Sequence, residues 1–376
     1  MKIGFDAKRA FHNQTGLGNY SRTLITSLAT QFAEQTYYLI NPKPSSLFKD
    51  RPKNCIEINP THFITKLFPS LWRSRWCVGE IEKTVDIYHG LSHELPYGIQ
   101  RSKVKKVVTI HDLIFEKYPE QYALVDRWIY RRKIKSACQF ADKIIAISEQ
   151  TKKDLIDLYQ IPSGKIVVCY QSCDQRFFAE IIKPTAPTIP LPPRYFLSVG
   201  SIIERKNLAR ICAAFQQIVK QEPDIKLVVI GKGGKYKKKI IAYLQQEKIM
   251  ESVLFLEDKY TSADIQSSLP WIYKQAIALV YPSLYEGFGI PVIEAQASGT
   301  VVITSNCSSL VEAGGDAAIG VNPVQVDEIR MAMQSVMHDE PKRTEIIKKG
   351  KLNAAKFNNE NCANAVMEVY KSMKHE

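Results

Sequence analysis

The sequence predicts an α/β protein with two doubly wound, Rossmann-like domains that face one another across a cleft. Apolar stretches with strand propensity alternate with helical patterns along the chain, as is typical of parallel sheets covered by helices. A chain of 376 residues is also longer than one hydrophobic core usually becomes. A proline-rich segment near the middle divides the pattern into two series, and we expect each series to form one domain.

The proline-rich segment sets the predicted boundaries. Residues 184–193 hold five prolines in ten positions, which neither a helix nor a central strand accommodates. We therefore predict a first domain over residues 1–182, a linker over 183–193 and a second domain over 194–358. A terminal helix is expected within 359–376.

The chain is basic, with a formal charge of +13 and a pI of about 9.2. Most of the excess of Lys and Arg lies in residues 1–182. This asymmetry indicates an anionic partner of the first domain, which is membrane lipid, a phosphorylated substrate or nucleic acid. A solvated basic surface explains the same charge equally well.

The N-terminal segment and the cysteines predict a cytoplasmic protein. The first six residues include charges and lack the apolar core of a signal peptide, and no apolar run approaches the length of a membrane span. The eight cysteines show no pair at metal-site spacing. We expect reduced, mostly buried thiols.

The first strand, residues 2–7, is followed by a loop that contains Gly16 and Gly18, and a helix is expected from Asn19. Apolar side chains recur at every fourth position of that helix, which gives it one buried face. A third glycine is absent, since Ser21 occupies that position. A nicotinamide dinucleotide fingerprint is therefore not supported.

Residues 64–79 mix aromatic and basic side chains, among them Trp72 and Trp76. This mixture is typical of a membrane interface. The same apolar spacing also suits a core helix with a basic outer face, and both interpretations stay open.

Two short predicted strands, residues 85–90 and 107–111, each carry a histidine near the end, His89 and His111. In open α/β sheets, ligands bind at the carboxyl ends of strands. Both histidines are therefore candidate site residues.

The second series begins with a strand at Tyr195 that ends at Gly200 and is followed by Ser201, Arg205 and Lys206. Two adjacent cations at a strand end can neutralise a diphosphate, although such a pair also occurs as ordinary surface. The next stretch of interest, residues 281–299, predicts a strand, a glycine loop and a helix start.

In that loop, Gly287 and Gly289 flank Phe288, and Pro291 suits the first turn of a helix. Backbone amides of the loop and of the helix start can hold an anion such as phosphate. Glu286 in the loop and Glu294 in the helix accept hydrogen bonds and suit neutral hydroxyl groups. A ligand with both features is a sugar nucleotide, although a capped helix with an acidic first turn explains the carboxylates too.

The spacing of Glu286 and Glu294, with Gly-Phe-Gly between them, resembles the E-x7-E signature of family 4 glycosyltransferases of GT-B fold. The resemblance implies that the donor sugar nucleotide binds in the second domain and that the first domain, residues 1–182, binds the acceptor. It further implies that Glu286 is a catalytic residue that contacts the donor sugar and that Glu294 holds the ribose hydroxyls. Gly287, Phe288 and Gly289 would bind the donor as well. The terminal helix would cross back to the first domain.

Other positions also resemble the family. Gly16 and Gly18 match its N-terminal loop over the donor diphosphate, and the histidine of His111-Asp112 would line the donor-sugar pocket with a catalytic role. Arg205 and Lys206 match its pyrophosphate contacts. The family often carries Arg at the position after Gly200, where this chain has Ser201, and we count Ser201 among the donor-binding candidates.

The resemblance implies a retaining glycosyltransferase that moves a hexosyl group, with mannosyl as a candidate, from a GDP- or UDP-linked donor. The expected acceptor is a glycan or a polyprenyl-linked glycan in the assembly of surface polysaccharide or lipopolysaccharide. We expect no cofactor and no metal, because cations and loop amides stabilise the leaving diphosphate. We also expect no nucleic-acid partner, and peripheral contact with an anionic membrane remains an option.

Two alternatives stay open at this point. A sugar-nucleotide epimerase of the same two-domain plan would release nucleotide without consuming an acceptor. A nucleic-acid-binding protein would account for the basic, aromatic stretches, although no recognisable motif of that class is present.

Overall fold

The structure is a computed structural model that describes residues 1–179 and 189–374. The chain divides into two compact units. Unit 1 comprises Met1–Ser172 and Asn359–Glu376, and unit 2 comprises Cys173–Asn358. Each unit contains one parallel sheet with helices, so the predicted α/β class of two Rossmann-like domains is confirmed.

Unit 1 is built on a seven-stranded sheet with the order β3-β2-β1-β4-β5-β6-β7, in which every neighbouring pair is parallel. The chain reverses its direction of growth between β1 and β4, so their carboxyl ends form a switch point. The strands are β1 (Lys2–Asp6), β2 (Thr36–Ile40), β3 (Cys55–Ile58), β4 (Ile87–Gly90), β5 (Lys105–Ile110), β6 (Lys143–Ala146) and β7 (Ile166–Val168).

The helices of unit 1 follow the predicted apolar spacing. In the second helix, Leu24 and Leu28 are buried, as expected for an amphipathic helix on a sheet. Ser148 accepts a hydrogen bond from the backbone N–H of Thr151 and caps the eighth helix. The helices are α1 (Lys8–His12), α2 (Gly16–Gln31), α3 (Phe63–Leu67), α4 (Pro69–Leu71), α5 (Val78–Thr84), α6 (Ile114–Lys117), α7 (Leu124–Phe140) and α8 (Glu149–Tyr159).

Unit 2 has a six-stranded parallel sheet with the order β10-β9-β8-β11-β12-β13. Here the switch point lies between β8 and β11. The strands are β8 (Tyr195–Val199), β9 (Lys226–Ile230), β10 (Val253–Phe255), β11 (Ala278–Tyr281), β12 (Val301–Ser305) and β13 (Ile319–Val321). The helices are α9 (Leu208–Val219), α10 (Lys235–Gln246), α11 (Ser262–Gln275), α12 (Ile290–Ala297), α13 (Leu310–Gly314), α14 (Val326–Met337) and α15 (Glu340–Ala354).

The boundary between the units falls at Ser172 and Cys173, before the predicted linker at residues 183–193. The N–H of Cys173 bonds to the carbonyl of Phe357, and the ring of Phe177 lies 5.9 Å from that of Tyr273. These contacts place the chain from Cys173 onward in unit 2, before the proline-rich segment begins. Most of the predicted linker lies outside the described residues. Of residues 183–193, the structure describes only residues 189–193.

The chain rejoins unit 1 through α16 (Asn359–Ser372). Val366 and Tyr370 are buried in the core formed with α2 and β1. The hydroxyl of Tyr370 lies 2.6 Å from Nδ1 of His89, and Nε2 of His89 lies 2.8 Å from Oγ1 of Thr109. Because both ring nitrogens have partners and the residue is buried, His89 serves the core.

The aromatic and basic stretch at residues 64–79 is divided between core and surface. Trp72 is buried with Ile81 and Tyr88, so its proposed place at a membrane is wrong. By contrast, Phe68 is 55% exposed and Trp76 is 40% exposed. The single helix expected here is broken into α3, α4 and a π-helical turn at Trp72–Trp76, and this break turns Trp72 inward.

Arg73, in the same turn, is also buried and forms part of an ion-pair network. Its Nη1 lies 2.6 Å from Oδ2 of Asp6 and 2.8 Å from Oε1 of Glu94. The other carboxylate oxygen of Glu94 lies 2.8 Å from Nζ of Lys133. The network connects the carboxyl end of β1 with α7.

The cysteines match the predicted state. All eight are free thiols, and all but Cys307 are buried. Burial raises the pKa of Cys138 and Cys212 to about 12, so these thiols stay protonated at neutral pH and behave as small apolar side chains.

Candidate active site

The switch point of unit 2 brings two polar loops together. Strand β8 pairs with β11 through Phe196 and Leu197, and the two strands are parallel, so their carboxyl ends lie at the same edge of the sheet. The chain leaves β8 through Gly200 toward the 3-10 turn Glu204–Lys206, and it leaves β11 through the loop that contains Glu286. A ligand site is expected at this edge.

Three predicted site residues converge there. Oε1 of Glu286 lies 3.0 Å from Nη1 of Arg205 and 2.6 Å from Nζ of Lys206. Glu286 is buried, and the side chains of Arg205 and Lys206 are 10% and 17% exposed. Two cations against one carboxylate leave a net positive charge, and Lys206 is the more accessible cation.

Burial opposes ionisation of Glu286, but the charges of Lys206 and Arg205 outweigh it and hold the pKa of this carboxyl below its ordinary value. Glu286 is therefore a carboxylate at neutral pH. It can accept hydrogen bonds from hydroxyl groups but cannot serve as a general acid at that pH.

Sequence reasoning missed two residues that position these cations. The hydroxyl of Tyr281 accepts a hydrogen bond from Lys206, whose Nζ also lies 4.7 Å from the centre of the Tyr281 ring. The carbonyl of Tyr285 accepts a bond from Arg205. The only sequence signal for Tyr281 is its place at the end of an apolar strand.

The glycine loop is held by packing and by a buried hydroxyl. Oγ of Ser309 lies 2.8 Å from the carbonyl oxygens of both Glu286 and Phe288. Gly289 has a φ of 127°, and a Cβ there would lie 2.8 Å from Leu310, so only glycine suits the position. The side chain of Phe288 is buried against Phe357, with 5.3 Å between ring centres, and serves packing.

Glu294 lies in α12, with Pro291 in the first turn as predicted. Oε2 of Glu294 accepts a hydrogen bond of 2.9 Å from the hydroxyl of Tyr273. Surrounding protein raises the pKa of Glu294 to about 7, and the Tyr273 bond and the charge of Arg176 only partly oppose this effect. The side chain stays partly accessible, so it can meet a ligand in either protonation state.

Ser201 is exposed beside the cluster. The preceding Gly200 has a φ of 129°, and a Cβ there would lie 3.5 Å from Cε of Lys206. Gly200 thus gives the chain its sharp turn out of β8 and leaves room for the lysine stem. Ser201 has no positive charge to offer a phosphate, and it departs from the family pattern at that point.

In unit 1, Gly16 and Gly18 lie in the first turn of α2, which begins three residues earlier than predicted. A Cβ at Gly18 would lie 1.8 Å from the carbonyl oxygen of Asn13. A Cβ at Gly16 would meet nothing within 4 Å. Gly18 is therefore required for folding of this loop, whereas Gly16 leaves open space at the helix start.

This difference predicts opposite effects of alanine at the two glycines. Gly18→Ala should lower the free energy of unfolding by at least about 1–3 kcal/mol, because Asn13 must shift. Gly16→Ala should leave it unchanged or raise it by up to about 1 kcal/mol, as alanine favours a helix. Urea unfolding of both variants measures the difference. Equal stabilities would contradict the assigned roles.

His111 follows β5 in unit 1 and is 4% exposed. Its Nε2 lies 2.9 Å from the carbonyl of Leu91, and its Nδ1 lies 2.8 Å from the amide nitrogen of Gln171. Nε2 therefore donates and Nδ1 accepts, and burial lowers the pKa to about 3. This histidine is neutral, and both of its ring nitrogens already bond to protein groups. The geometry therefore favours a structural role for His111 over proton transfer.

The predicted residues thus fall into two sets. Arg205, Lys206, Glu286 and Glu294 lie in unit 2, and Gly16, Gly18 and His111 lie in unit 1. Within unit 2 the cluster offers net positive charge for a diphosphate, and the carboxylates offer acceptors for hydroxyl groups. Among residues 1–179 and 189–374, no three His, Cys, Asp or Glu side chains form a group that could hold a metal ion.

Family comparison matches both halves of the chain. Residues 15–177 match the domain described as Glycosyltransferase Family 4, and residues 181–353 match the domain described as Glycosyl transferases group 1. O-antigen chain mannosyltransferase B of Escherichia coli is 26% identical over 99% of this chain and all of that protein.

Solved structures share the fold. Sucrose-phosphate synthase from Thermosynechococcus elongatus superposes with a TM-score of 0.76 at 20% identity, over 100% of this chain and 99% of that one. The Anabaena protein HepE, in complex with UDP and glucose, gives a TM-score of 0.71 at 16% identity, over 99% of this chain and 100% of that one. At these identities the likeness concerns the GT-B fold.

Proposed function

This chain is a glycosyltransferase in which a family 4 domain precedes a group 1 domain, and we propose that it transfers a mannosyl group from GDP-mannose to a glycan acceptor in surface polysaccharide assembly. The observation that carries the proposal is the cluster of Arg205, Lys206 and Glu286 at the switch point of unit 2. The choice of mannose draws support from the E. coli relative, which is named a mannosyltransferase. UDP-linked hexoses are the alternative donors.

The cluster suggests how unit 2 handles the donor. Lys206, with Arg205 behind it, faces the diphosphate and stabilises the negative charge that grows as the bond from C1 to the diphosphate oxygen breaks. The acceptor oxygen bonds to C1 as the bond from C1 to the diphosphate oxygen breaks, and the departing nucleoside diphosphate takes up the hydroxyl proton of the acceptor. Glu286 accepts hydrogen bonds from the sugar hydroxyls. Retention at C1 and independence from a metal ion are parts of the same proposal.

A transfer assay with a synthetic polyprenyl-linked glycan, GDP-mannose and EDTA tests this function. We expect the glycan to gain one hexose with an α-linkage, because GDP-mannose is itself α-linked and retention keeps that configuration. Release of GDP without a heavier glycan would instead favour a nucleotide-sugar epimerase or hydrolase. Transfer that requires added magnesium would contradict metal independence.

Glu294, in the proposed ribose-binding role, predicts a pH-dependent donor affinity. Hydrogen bonds from the ribose hydroxyls stabilise the ionised form of Glu294. The pKa of Glu294 in the complex should therefore lie below its value of about 7 in the free protein. Affinity for GDP-mannose should therefore rise as pH increases toward 7, by about tenfold per pH unit at most, and level off above it.

Titration calorimetry from pH 5.5 to 8 measures this dependence. His111 does not titrate in the same window, because its pKa is lowered to about 3. The diphosphate of GDP-mannose does not titrate in this pH range either, because it lacks the second ionisation of a phosphate monoester. Glu294→Gln should bind more weakly with a flat profile, and an unchanged slope in that variant would refute the assignment.

We further propose that unit 1 rests on an anionic membrane that carries the acceptor. The supporting surface comprises Phe63, Ile64, Leu67 and Phe68, all at least 55% exposed, with Lys66 among them. Near an anionic surface each cation contributes about 1 kcal/mol, and exposed aromatic rings add shallow insertion. None of the described helices is long and apolar enough to cross a membrane.

Flotation with vesicles of phosphatidylglycerol and phosphatidylcholine tests the surface. The protein should float at low salt and lose binding as salt screens the charges over about 8 Å. The double variant Phe63→Ser and Phe68→Ser should no longer float. Ile56→Ser is the matched control, since this side chain is 46% exposed on β3 of the same unit. Equal flotation of both variants would exclude this surface as the membrane-binding site.

A further inference from the structure

Four polar side chains form a hydrogen-bonded row inside unit 1, near the carboxyl ends of β4 and β5. The hydroxyl of Tyr370 in α16 lies 2.6 Å from Nδ1 of His89 in β4, and Nε2 of His89 lies 2.8 Å from Oγ1 of Thr109 in β5. Oγ1 of Thr109 also lies 3.1 Å from the hydroxyl of Tyr20 in α2. We call these four residues the buried polar network.

The surroundings of this network are apolar. Tyr370 belongs to the core cluster that also contains Leu24 and Val366, and Tyr20 packs against that cluster. A buried polar group costs free energy unless it is hydrogen-bonded. A fully connected network in such a core fixes one arrangement of the elements that contribute to it, which here are α2, β4, β5 and α16.

The protons of the network can be assigned from burial. His89 is neutral, because burial lowers its pKa to about 3, so its ring has one N–H donor and one acceptor nitrogen. One ring proton and three hydroxyl protons then serve three hydrogen bonds, and one hydroxyl proton is left over. In the part of the chain that the structure describes, none of the three hydroxyls has a partner outside the network. Thr109 and Tyr370 are fully buried and an unpaired buried donor is costly, so the remaining proton belongs to Tyr20, which is only partly buried.

This assignment gives the network a direction. Tyr370 donates to Nδ1 of His89, Nε2–H of His89 donates to Thr109, and Thr109 donates to Tyr20. His89 is therefore in the Nε2–H tautomer, and the position of Tyr20 depends on a row of hydrogen bonds that starts in α16.

Tyr20 connects the network to two parts of the proposed donor site. Its ring meets the ring of His111 edge-on, with 4.7 Å between the ring centres. It also follows Gly18 by two residues in α2. Both ring nitrogens of His111 already bond to protein groups, and the ring of Tyr20 is a further contact that fixes the plane of this histidine. Displacement of Tyr20 would therefore move both the glycine turn and His111.

We propose that the buried polar network positions Tyr20, and through it His111 and the turn at Gly18, for contact with the donor. Tyr370 is then a positioning residue for the reaction, although it lies in the terminal helix. This inference rests on the proposed transfer from GDP-mannose. It gives α16 a role in the reaction in addition to its packing on α2.

Two substitutions of Thr109 separate positioning from packing. Valine fills the space of threonine but removes the hydroxyl, whereas serine keeps the hydroxyl and leaves a small cavity. With the polyprenyl-linked glycan as acceptor, Thr109→Val should lower kcat/KM for GDP-mannose about three- to tenfold, the loss expected for one neutral hydrogen bond. Thr109→Ser should retain a kcat/KM close to that of the wild type. The opposite order would show that the residue serves packing alone.

Tyr370→Phe tests the other end of the network and should lower kcat/KM to the same extent as Thr109→Val. Tyr37→Phe is the matched control, because Tyr37 is a fully buried tyrosine of the same cluster. Its hydroxyl donates to the carbonyl of Leu28 at 2.9 Å, outside the network. This control should lose stability and keep the kcat/KM of the wild type.

Histidine NMR on the full chain gives a measurement that does not depend on turnover. The ¹⁵N signals of His89 should show the Nε2–H tautomer, and the opposite tautomer would overturn the assigned direction. The ring signals of His111, identified by their loss in His111→Gln, should shift in Tyr370→Phe and stay in place in Tyr37→Phe.

The outcomes separate this inference from the function on which it rests. If the wild type transfers mannose and Tyr370→Phe does so at the same rate, or if the His111 signals are the same in both proteins, the network does not position the site and the transferase proposal stands. If the His111 signals shift as expected but the wild type transfers no mannose, the coupling of Tyr370 to His111 is retained and the proposed function fails.

Discussion

Lys206→Met is expected to lower kcat for sugar transfer by about 10²–10³-fold, the usual loss when one preorganised electrostatic contact to a developing negative charge is removed. Lys206 is the more accessible cation of the cluster and is held by Glu286 and Tyr281. Methionine keeps the stem that packs over Gly200 and removes the charge. The melting temperature should therefore change far less than the rate.

Steady-state kinetics with saturating donor measure this effect. Lys239→Met is the matched control, because Lys239 is an exposed lysine of the same unit whose nearest carboxylate lies 3.9 Å away. Lys206→Arg should recover part of the rate, since it restores the charge in a different shape. A Lys206→Met enzyme with nearly normal kcat would show that the leaving group is stabilised elsewhere.

Glu286→Gln is expected to separate binding of the leaving group from transfer. The substitution removes a carboxylate that lies 2.6–3.0 Å from both cations. Affinity for GDP alone should hold or increase, because the cations are no longer neutralised and the repulsion from the carboxylate is gone. Transfer should fall by about 10- to 100-fold, as expected for loss of a charged hydrogen bond of 1.5–3 kcal/mol to the donor sugar.

Calorimetry with GDP and a transfer assay on the same preparation measure the two quantities. Thermal melting serves as the control for folding, since Arg205 and Lys206 lose their shared carboxylate in this variant. A parallel loss of GDP binding and transfer would show that Glu286 only maintains the loop. Unchanged transfer would remove it from the donor site.

The sequence was sufficient for the fold class because many of its strands and helices can be recognised from local residue patterns. Four strands, β1, β4, β8 and β11, are apolar runs that end at or next to glycine, histidine or polar residues. This pattern can be recognised without knowing which strands pair with one another. The loop at residues 281–299 was equally predictable, since its glycines and Pro291 fix the backbone chemistry. Ser148 as a helix cap is another local feature that the structure contains.

Features that depend on distant contacts were not predictable. The pattern around Trp72 left a membrane interface and a core helix both open, and a π-helical turn directs Trp72 toward Ile81 and places Arg73 beside Asp6. The neutralisation of Arg205 and Lys206 by Glu286 joins positions 80 or more residues apart along the sequence. No spacing rule reveals such a contact, and the same holds for the proline-rich segment, which lies after the point where the chain already packs into unit 2.

We propose that Lys206 and its neighbours at the switch point of unit 2 bind the donor diphosphate without a metal ion. This proposal can be tested by titration of GDP-mannose into the protein in the presence of EDTA. We expect saturable binding that Lys206→Met weakens at least tenfold and Lys239→Met leaves unchanged. Binding that needs a divalent ion, or that is the same in wild type and Lys206→Met, would contradict it.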